Sequence, residues 1–271
     1  MCKFESDGVY TRCNVQSIKK NENYFPEYIE ATELYGGQQY IDTKILVSDE
    51  NENTNIKCVA EFQLTEYWGS EADKASGNYS GGVFGAQQST NGINYSRFCI
   101  YPIKNQGSKK IQTVLTKGND ASGIMVNSSY DEKELQNGLF EKYEYVLQYK
   151  NGKGSASIGG ITKSQGNTVS SFTNPYPIYI FTRSTLKDTN NPNEIINDPT
   201  VHTWGKLYSF KIYKGVNLDE SDIIMDLKPC VGPTGAAGMY DTISKKVFYN
   251  SGTGTGDFTY PTEQSTYSLR G

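Results

Sequence analysis

Histidine, cysteine and long apolar runs are the scarce features of this 271-residue sequence. A single histidine excludes a metal centre built from several imidazoles. The cysteines are odd in number and lack the C-x-x-C spacing of zinc and redox sites, and they stand at Cys2, Cys13, Cys58, Cys99 and Cys230. We therefore predict buried thiols, with a Cys2–Cys13 disulfide as an open alternative.

Apolar residues are never concentrated enough for a membrane segment. No stretch approaches the roughly 18 consecutive apolar residues of a spanning helix, and the segment after Met1 lacks the apolar region of a secretory signal. We expect a chain made in a cytoplasm, without a membrane span. The formal net charge is −4 and basic residues form only short pairs such as Lys109-Lys110, so nucleic acid is not an expected partner.

Tyrosine and glycine are abundant, with 21 and 27 residues. Aromatic residues fit pleated, half-buried surfaces and glycine supplies turns, so the composition favours an all-β protein. In IKCVAEFQL (56–64), apolar residues alternate with polar ones, which predicts a strand with one covered face. The buried face is predicted to carry Ile56, Cys58, Ala60, Phe62 and Leu64.

Similar short segments recur along the chain, at 97–103, 111–117, 143–149, 177–181, 207–213 and 246–250. In the 207–213 segment, Tyr208, Phe210 and Ile212 are predicted to share one face. Polar connections such as 185–199 separate the segments, and no amphipathic helix of three turns is apparent. We predict one two-layer antiparallel β-sandwich over residues 28–271, preceded by a polar anchoring extension, residues 1–27.

The segment YIEATELYGGQQYIDTKI (28–45) and the closing stretches LYSFKIY, MDLKPC and GAAGMYDTISKKVFYNSGTGTGDF carry a resemblance. They resemble the concanavalin A-like, laminin-G-like jelly-roll domains of bacteriophage virion proteins and gut-bacterial surface proteins. GGVFGAQQS (81–89) and IYIFTRS (178–184) also resemble strands of that family. Lys44 departs from the pattern, since the family usually has glycine there.

The resemblance implies a jelly roll that acts as a virion structural protein, either as capsid decoration or head fibre, or as a tail-associated adsorption module. Its expected partners are other virion proteins, bound through residues 1–27, further copies of the same chain, and host surface polysaccharide. A bacterial surface carbohydrate-binding protein is the alternative, followed by a glycan hydrolase.

Aromatic rings in polar loops are candidates for stacking on sugars. The predicted glycan contacts are Trp68, Tyr79, Asn91, Tyr95 and Trp204. The alternative for Trp68 and Trp204 is that they cap the open ends of the sandwich. Calcium is a further possibility, in the loops 73–78 and 187–194, because related jelly rolls bind it through loop oxygens.

Catalytic patterns are weak. The E-x-D-x-x-E run of jelly-roll glucanases is missing, and the acids of DESDIIMD (219–226) follow a turn, as solvated loop charges do. His202 has no G-x-S-x-G segment to accompany it. Asp42, between Ile41 and Thr43, is predicted to point outward or to pair with a neighbouring backbone group or lysine. We therefore predict a protein that is not an enzyme.

Overall fold

A computed structural model describes residues 25–32, 39–48, 55–65, 79–88, 96–105, 108–118, 121–188, 191–197, 203–252 and 256–261. Within these residues the chain is a two-layer, all-β sandwich, as predicted. Helical structure in this part of the chain is confined to two three-residue 3-10 turns, Ala121–Gly123 and Glu220–Asp222.

In the described part of the chain, the first sheet, sheet A, has nine strands, all paired in antiparallel fashion. The strand β1 (Ile29–Ala31) pairs with residues 205–207 at the start of β15 (Gly205–Lys214). The remaining strands follow each other across the sheet in the order β11 (Ile161–Lys163), β10 (Lys153–Ile158), β9 (Lys142–Lys150), β3 (Ile56–Leu64), β15 (Gly205–Lys214), β16 (Ile223–Val231), β17 (Ala237–Asp241) and β18 (Val247–Tyr249).

The second sheet, sheet B, likewise has nine strands among the residues that the structure describes. Six of them follow each other in the order β14 (Asn191–Asn197), β13 (Ser184–Asp188), β5 (Phe84–Gln88), β6 (Ser96–Asn105), β7 (Ser108–Lys117) and β8 (Ile124–Tyr130). The strand β12 (Pro177–Ile180) lies between β5 and β2 (Ile41–Leu46), and β4 (Tyr79–Ser80) pairs with β6. All pairs are antiparallel except a parallel bridge between Ser184 and Ala86.

The core lies between the two sheets, and β3 shows why. Ile56, Cys58, Ala60, Phe62 and Leu64 are all buried in it, which confirms the predicted face. The Phe62 ring lies 5.9 Å from that of Tyr145 in sheet A and 5.7 Å from that of Phe181, which follows β12 in sheet B. Rings that contact both layers in this way hold the sheets together by burying apolar area.

Two strand predictions were wrong in detail. A register shift between Leu207 and Ser209 turns Leu207 into the core, so that Tyr208 is only half-buried and does not share a face with Phe210. The polar region 185–199 was predicted as a connection, yet it contains the paired strands β13 and β14. The Pro192 within β14 fits an edge strand, because proline cannot donate to a further neighbour.

The closing segment joins the two sheets at one side of the sandwich. Tyr240 pairs with Val247 in the β17–β18 hairpin. Beyond β18, the Asn250 side-chain oxygen accepts the N–H of Tyr40 at 3.1 Å and the N–H of Gly252 at 2.9 Å, and the Ser251 N–H donates to the Tyr40 carbonyl at 2.8 Å. Asparagine therefore ties the end of sheet A to the start of β2.

Replacing Asn250 by alanine is expected to lower the free energy of unfolding by about 1 to 2 kcal/mol, because two backbone N–H groups lose their acceptor. Urea titration monitored by tryptophan fluorescence would measure this. Asn127→Ala is the control, since its side chain is exposed and accepts a hydrogen bond from the exposed Gln112 side-chain amide rather than from backbone N–H groups of the other sheet. An equal loss in both variants would show that Asn250 does not join the sheets.

Residues 25–27, the part of the predicted extension that the structure describes, lie against sheet A. Pro26 is buried, and the Phe25 ring meets that of Tyr240 at a centroid distance of 5.9 Å. The boundary at residue 27 stays a prediction. The thiols of Cys58, Cys99 and Cys230 are buried as predicted, while Cys2 and Cys13 lie outside the described residues.

Candidate functional site

One end of the sandwich is held together through Thr203, the residue before the first tryptophan that the structure describes. The Thr203 N–H donates to the Phe181 carbonyl at 3.0 Å, and its hydroxyl accepts the N–H of Gly82 at 2.6 Å. A Cβ atom on Gly82 would lie 2.7 Å from the Thr182 carbonyl carbon, so only glycine allows this approach. Trp204 is thus attached to a fixed piece of backbone.

Tyr101 and Arg183 belong to the same end. Arg183 directly follows Thr182, and its guanidinium lies 5.6 Å from the centre of the Tyr101 ring. Cation–π attraction at such a distance is favourable, more so where water is excluded. We call Gly82, Tyr101, Arg183, Thr203 and Trp204 the rim.

Of the predicted glycan contacts, the structure describes Trp204 and the backbone of Tyr79. Trp204 is half-buried in the rim, and its carbonyl accepts the N–H of Thr65 at 3.2 Å, where the connection that contains Trp68 begins. That connection ends at Tyr79, whose backbone pairs with Lys104. Trp68, Asn91 and Tyr95 lie outside the described residues, as does the side chain of Tyr79.

The connection that contains Asn91 and Tyr95 joins Gln88 to Ser96. Ser96 and Lys104 are the near-terminal residues of β6, about 26 Å apart along an extended strand. The structure therefore brings Tyr79 and Trp204 to the rim and starts the Asn91 and Tyr95 connection at the opposite end. One sugar ring cannot reach both groups of anchoring residues.

The outer face of sheet B, which points away from the core, was missed by the sequence reasoning. Cys99 and Tyr101 alternate with the core residues Phe98 and Ile100, so they face outward, yet both are buried. Val114 on β7 packs with them. An alternating pattern predicts which residues share a face, and it cannot tell whether the second face is also covered.

A polar row crosses this outer face next to Cys99. Gln87, Arg97 and Thr116 are cross-strand neighbours on β5, β6 and β7. The side-chain oxygens of Gln87 and Thr116 are buried and have no hydrogen-bond partner among the residues that the structure describes. Buried acceptors of this kind are costly, and they are common next to functional sites or ordered water.

Burial raises the pKa of Tyr101 to about 12, and the nearby Cys99 thiol adds to the rise, while Arg183 and Arg97 oppose it. A folded-state pKa above the unfolded value of roughly 10 means that this stabilisation is complete below pH 10 and lost between about pH 10 and 12. From pH 9 to pH 11, the protein should therefore lose about 1 kcal/mol more stability than the Tyr101→Phe variant. Urea unfolding at both pH values measures this, and equal losses would contradict it.

Asp42 has a structural explanation at the far edge of sheet B. Its carboxylate accepts the Lys44 N–H at 2.9 Å and pairs with the Lys44 ammonium at 2.5 Å, as one of the two sequence alternatives proposed. Burial is the main cause that raises the pKa of both Tyr40 and Tyr179, and the negative charge of Asp42 raises it further. Lys44 has a φ of 61°, a left-handed conformation that glycine adopts most readily.

Two glutamates face each other on the outer surface of sheet A. Glu61 on β3 is directly opposite Glu144 on β9, and both side chains are exposed. Directly opposite residues have Cβ atoms about 5 Å apart, a spacing that can bring two carboxylates within the range of a retaining glycosidase. The Ser209 hydroxyl donates to Glu61 at 3.4 Å. Their exposed position on an open strand face distinguishes them from acids enclosed in a substrate groove.

Metal ligands are not gathered anywhere in the described part of the chain, where no group of three or more His, Cys, Asp or Glu residues could hold an ion. Loop 73–78 lies outside the described residues, and loop 187–194 is described only in part, so the calcium prediction stays untested. The acids near Asp219 lie in a turn, as predicted. Asp219 accepts the N–H and hydroxyl of Ser221, and Asp222 accepts the N–H groups of Asn217 and Leu218.

Comparison with known proteins leaves the family open. No family model matches the chain, and no curated protein matches it. Within the described residues, no helix is long and apolar enough to cross a membrane.

Proposed function

We propose that this chain is a bacteriophage virion structural protein whose β-sandwich binds host surface glycans at the rim. The observation that carries the binding proposal is the fixed backbone of Thr203, which holds Trp204 at the same end of the sandwich as the Arg183–Tyr101 pair. Aromatic rings next to hydrogen-bond donors are suited to stacking on sugar faces and holding hydroxyl groups. The sequence resemblance over 28–258 supports the virion assignment.

The direct test of glycan binding uses the full chain and purified capsule or cell-wall polysaccharide from the host bacterium. Calorimetry or surface plasmon resonance should show saturable binding, and a neutral dextran of equal size serves as the control polymer. Equal binding to dextran, or none to any host polysaccharide, would contradict the proposal.

The virion assignment has its own test. Antibodies against the sandwich should label intact phage particles, and deletion of residues 1–27 should abolish incorporation while the sandwich remains folded by circular dichroism. Incorporation that is unchanged by the deletion would refute the anchoring role of the extension. A protein found only on uninfected bacterial surfaces would favour the alternative, a surface carbohydrate-binding protein.

The facing pair of Glu61 and Glu144 gives glycan hydrolysis a specific second test. We propose binding without cleavage, so incubation with host polysaccharide should release no reducing ends. Release that disappears in both Glu61→Gln and Glu144→Gln would assign catalysis to this pair and overturn the proposal. Release that persists in both variants would place the activity elsewhere and equally contradict it.

A further inference from the structure

A cleft of about 540 Å³ opens on the outer face of sheet A, away from the rim. The β9–β10 hairpin sets its chemistry, because Gln148 lies opposite Ser155 and Lys150 lies opposite Lys153. Their neighbours Leu147 and Tyr149 are buried in the core, so these four side chains point outward. Ser164 completes the lining at the far side. We call this the Lys153 cleft.

Side chains that donate hydrogen bonds line the Lys153 cleft, and no carboxylate is among the described residues that line it. Lys150 and Lys153 lie directly opposite each other on neighbouring strands. Like charges in such positions are destabilising. The pair therefore favours a bound anion, which would remove the repulsion and gain charge-assisted hydrogen bonds.

Nearby contacts hold part of this positive charge in place. The Lys150 ammonium donates to the Asn217 carbonyl at 2.8 Å, and the ammonium of Lys57, which neighbours Gln148 on β3, donates to the Leu218 carbonyl. An ammonium has three hydrogens, so the bond to Asn217 leaves Lys150 two for a ligand. The Lys57 ammonium also lies 4.0 Å from the centre of the Tyr213 ring and does not line the cleft. Bonds from the Ser221 hydroxyl and N–H, and then the charges of Lys57 and Lys150, lower the pKa of Asp219. Its ionised carboxylate therefore offsets part of the charge of Lys57 and Lys150, although it does not line the cleft beside Lys153.

A second cleft of nearly equal size also contains lysines but differs from the Lys153 cleft in having carboxylates in its lining. It measures about 510 Å³ and is lined by Lys109, Lys110 and Lys133, together with Asp131 and Glu132. The backbone N–H groups of Lys133 and Glu134 lower the pKa of Asp131, so its carboxylate is ionised at neutral pH. Its acids offset the lysine charges. This Lys133 cleft is therefore a matched control.

We infer that the Lys153 cleft binds an oxyanion, either a phosphate or a carboxylate group, carried by an acidic polysaccharide. The oxyanion site stands on the cleft geometry, while the polysaccharide rests on the proposed function. Lys153 and Lys150 supply charge, and Ser155, Gln148 and Ser164 supply neutral donors for the remaining oxygens. The site thereby assigns acidic polymers as the preferred ligand class.

The test is NMR titration of the ¹⁵N-labelled full chain with inorganic phosphate and, separately, with glucuronate. Amide shifts should be centred on Lys153 and Ser155, and the stronger of the two ligands identifies the oxyanion. Lys153→Gln should weaken binding about tenfold, whereas Lys133→Gln should leave it unchanged. Equal affinity in wild type and Lys153→Gln, or an equal loss in Lys133→Gln, overturns the inference.

Failure of this site can be told apart from failure of glycan binding. Phosphate or glucuronate binding at Lys153 without any binding of host polysaccharide would support the oxyanion site and contradict the proposed function. Polysaccharide binding that is insensitive to Lys153→Gln would support the proposed function and contradict the oxyanion site. Tighter binding of a DNA oligonucleotide than of acidic polysaccharide at the same salt concentration would overturn the polymer class.

Discussion

Replacing Phe62 by alanine is expected to lower the free energy of unfolding by about 3 to 5 kcal/mol, the range for a fully buried phenylalanine. Phe62 is completely buried and meets the rings of Tyr145 and Phe181, so it contacts both layers. Its removal would leave a cavity between the sheets that the surrounding strands cannot easily fill. Chemical denaturation of the wild type and the variant measures the loss.

Phe25→Ala is the matched control for the same truncation. Its ring is 54% exposed and touches Tyr240 at the surface, so we expect a loss below about 1 kcal/mol. If Phe62→Ala cost no more than Phe25→Ala, the packing of one sheet on the other would be contradicted.

Replacing Trp204 by alanine is expected to weaken host polysaccharide binding about 30-fold, which corresponds to roughly 2 kcal/mol for an aromatic hot spot. Thr203 fixes the backbone at this position through its bonds to Phe181 and Gly82, so an indole here is presented with little loss of conformational freedom. The dissociation constant, measured by calorimetry, should rise while the enthalpy of binding falls.

Tyr249→Ala removes an exposed aromatic ring from β18 and is the control for binding. It should leave the dissociation constant unchanged. Because Trp204 is half-buried, the melting temperature of each variant must be measured as well. Unchanged binding in a folded Trp204→Ala protein would show that the rim does not hold the glycan.

The strands were largely predictable from sequence because each has its own apolar alternation. IKCVAEFQL matches β3 at both ends, and its buried face follows from a period of two. The orientation of Tyr208 was not predictable, since the register shift beside Leu207 depends on pairing with β3. The hairpin of β13 and β14 was hidden by its polar composition, because an edge strand needs little apolar surface.

The candidate site was predictable only in part. Aromatic residues in polar connections indicated Trp204 and Tyr79, which the structure places at the rim. The predicted strand 97–103 already separated residues 96 and 104, but the sequence gave no indication that Tyr79 pairs with Lys104, at the end of β6 away from Ser96. Arg183 and Tyr101 are far apart in the chain and meet only because β12 and β6 both flank β5.

Lys44 stands where the resembled family usually has glycine, and the backbone conformation explains why this position matters. The expected glycine corresponds to a left-handed backbone, and lysine occupies that conformation here with a φ of 61°. Its ammonium pairs with Asp42, whose carboxylate also accepts the Lys44 N–H. The ion pair offsets part of the strain that a side chain introduces at such a position.

The most direct test of the account is an NMR titration of the full chain with oligosaccharides from the host capsule. The account predicts shifts of the Trp204 indole and of the amides of Gly82, Arg183 and Thr203, with no loss of oligosaccharide over time. Shifts centred instead on Glu61 and Glu144, with cleavage of the sugar, would contradict it.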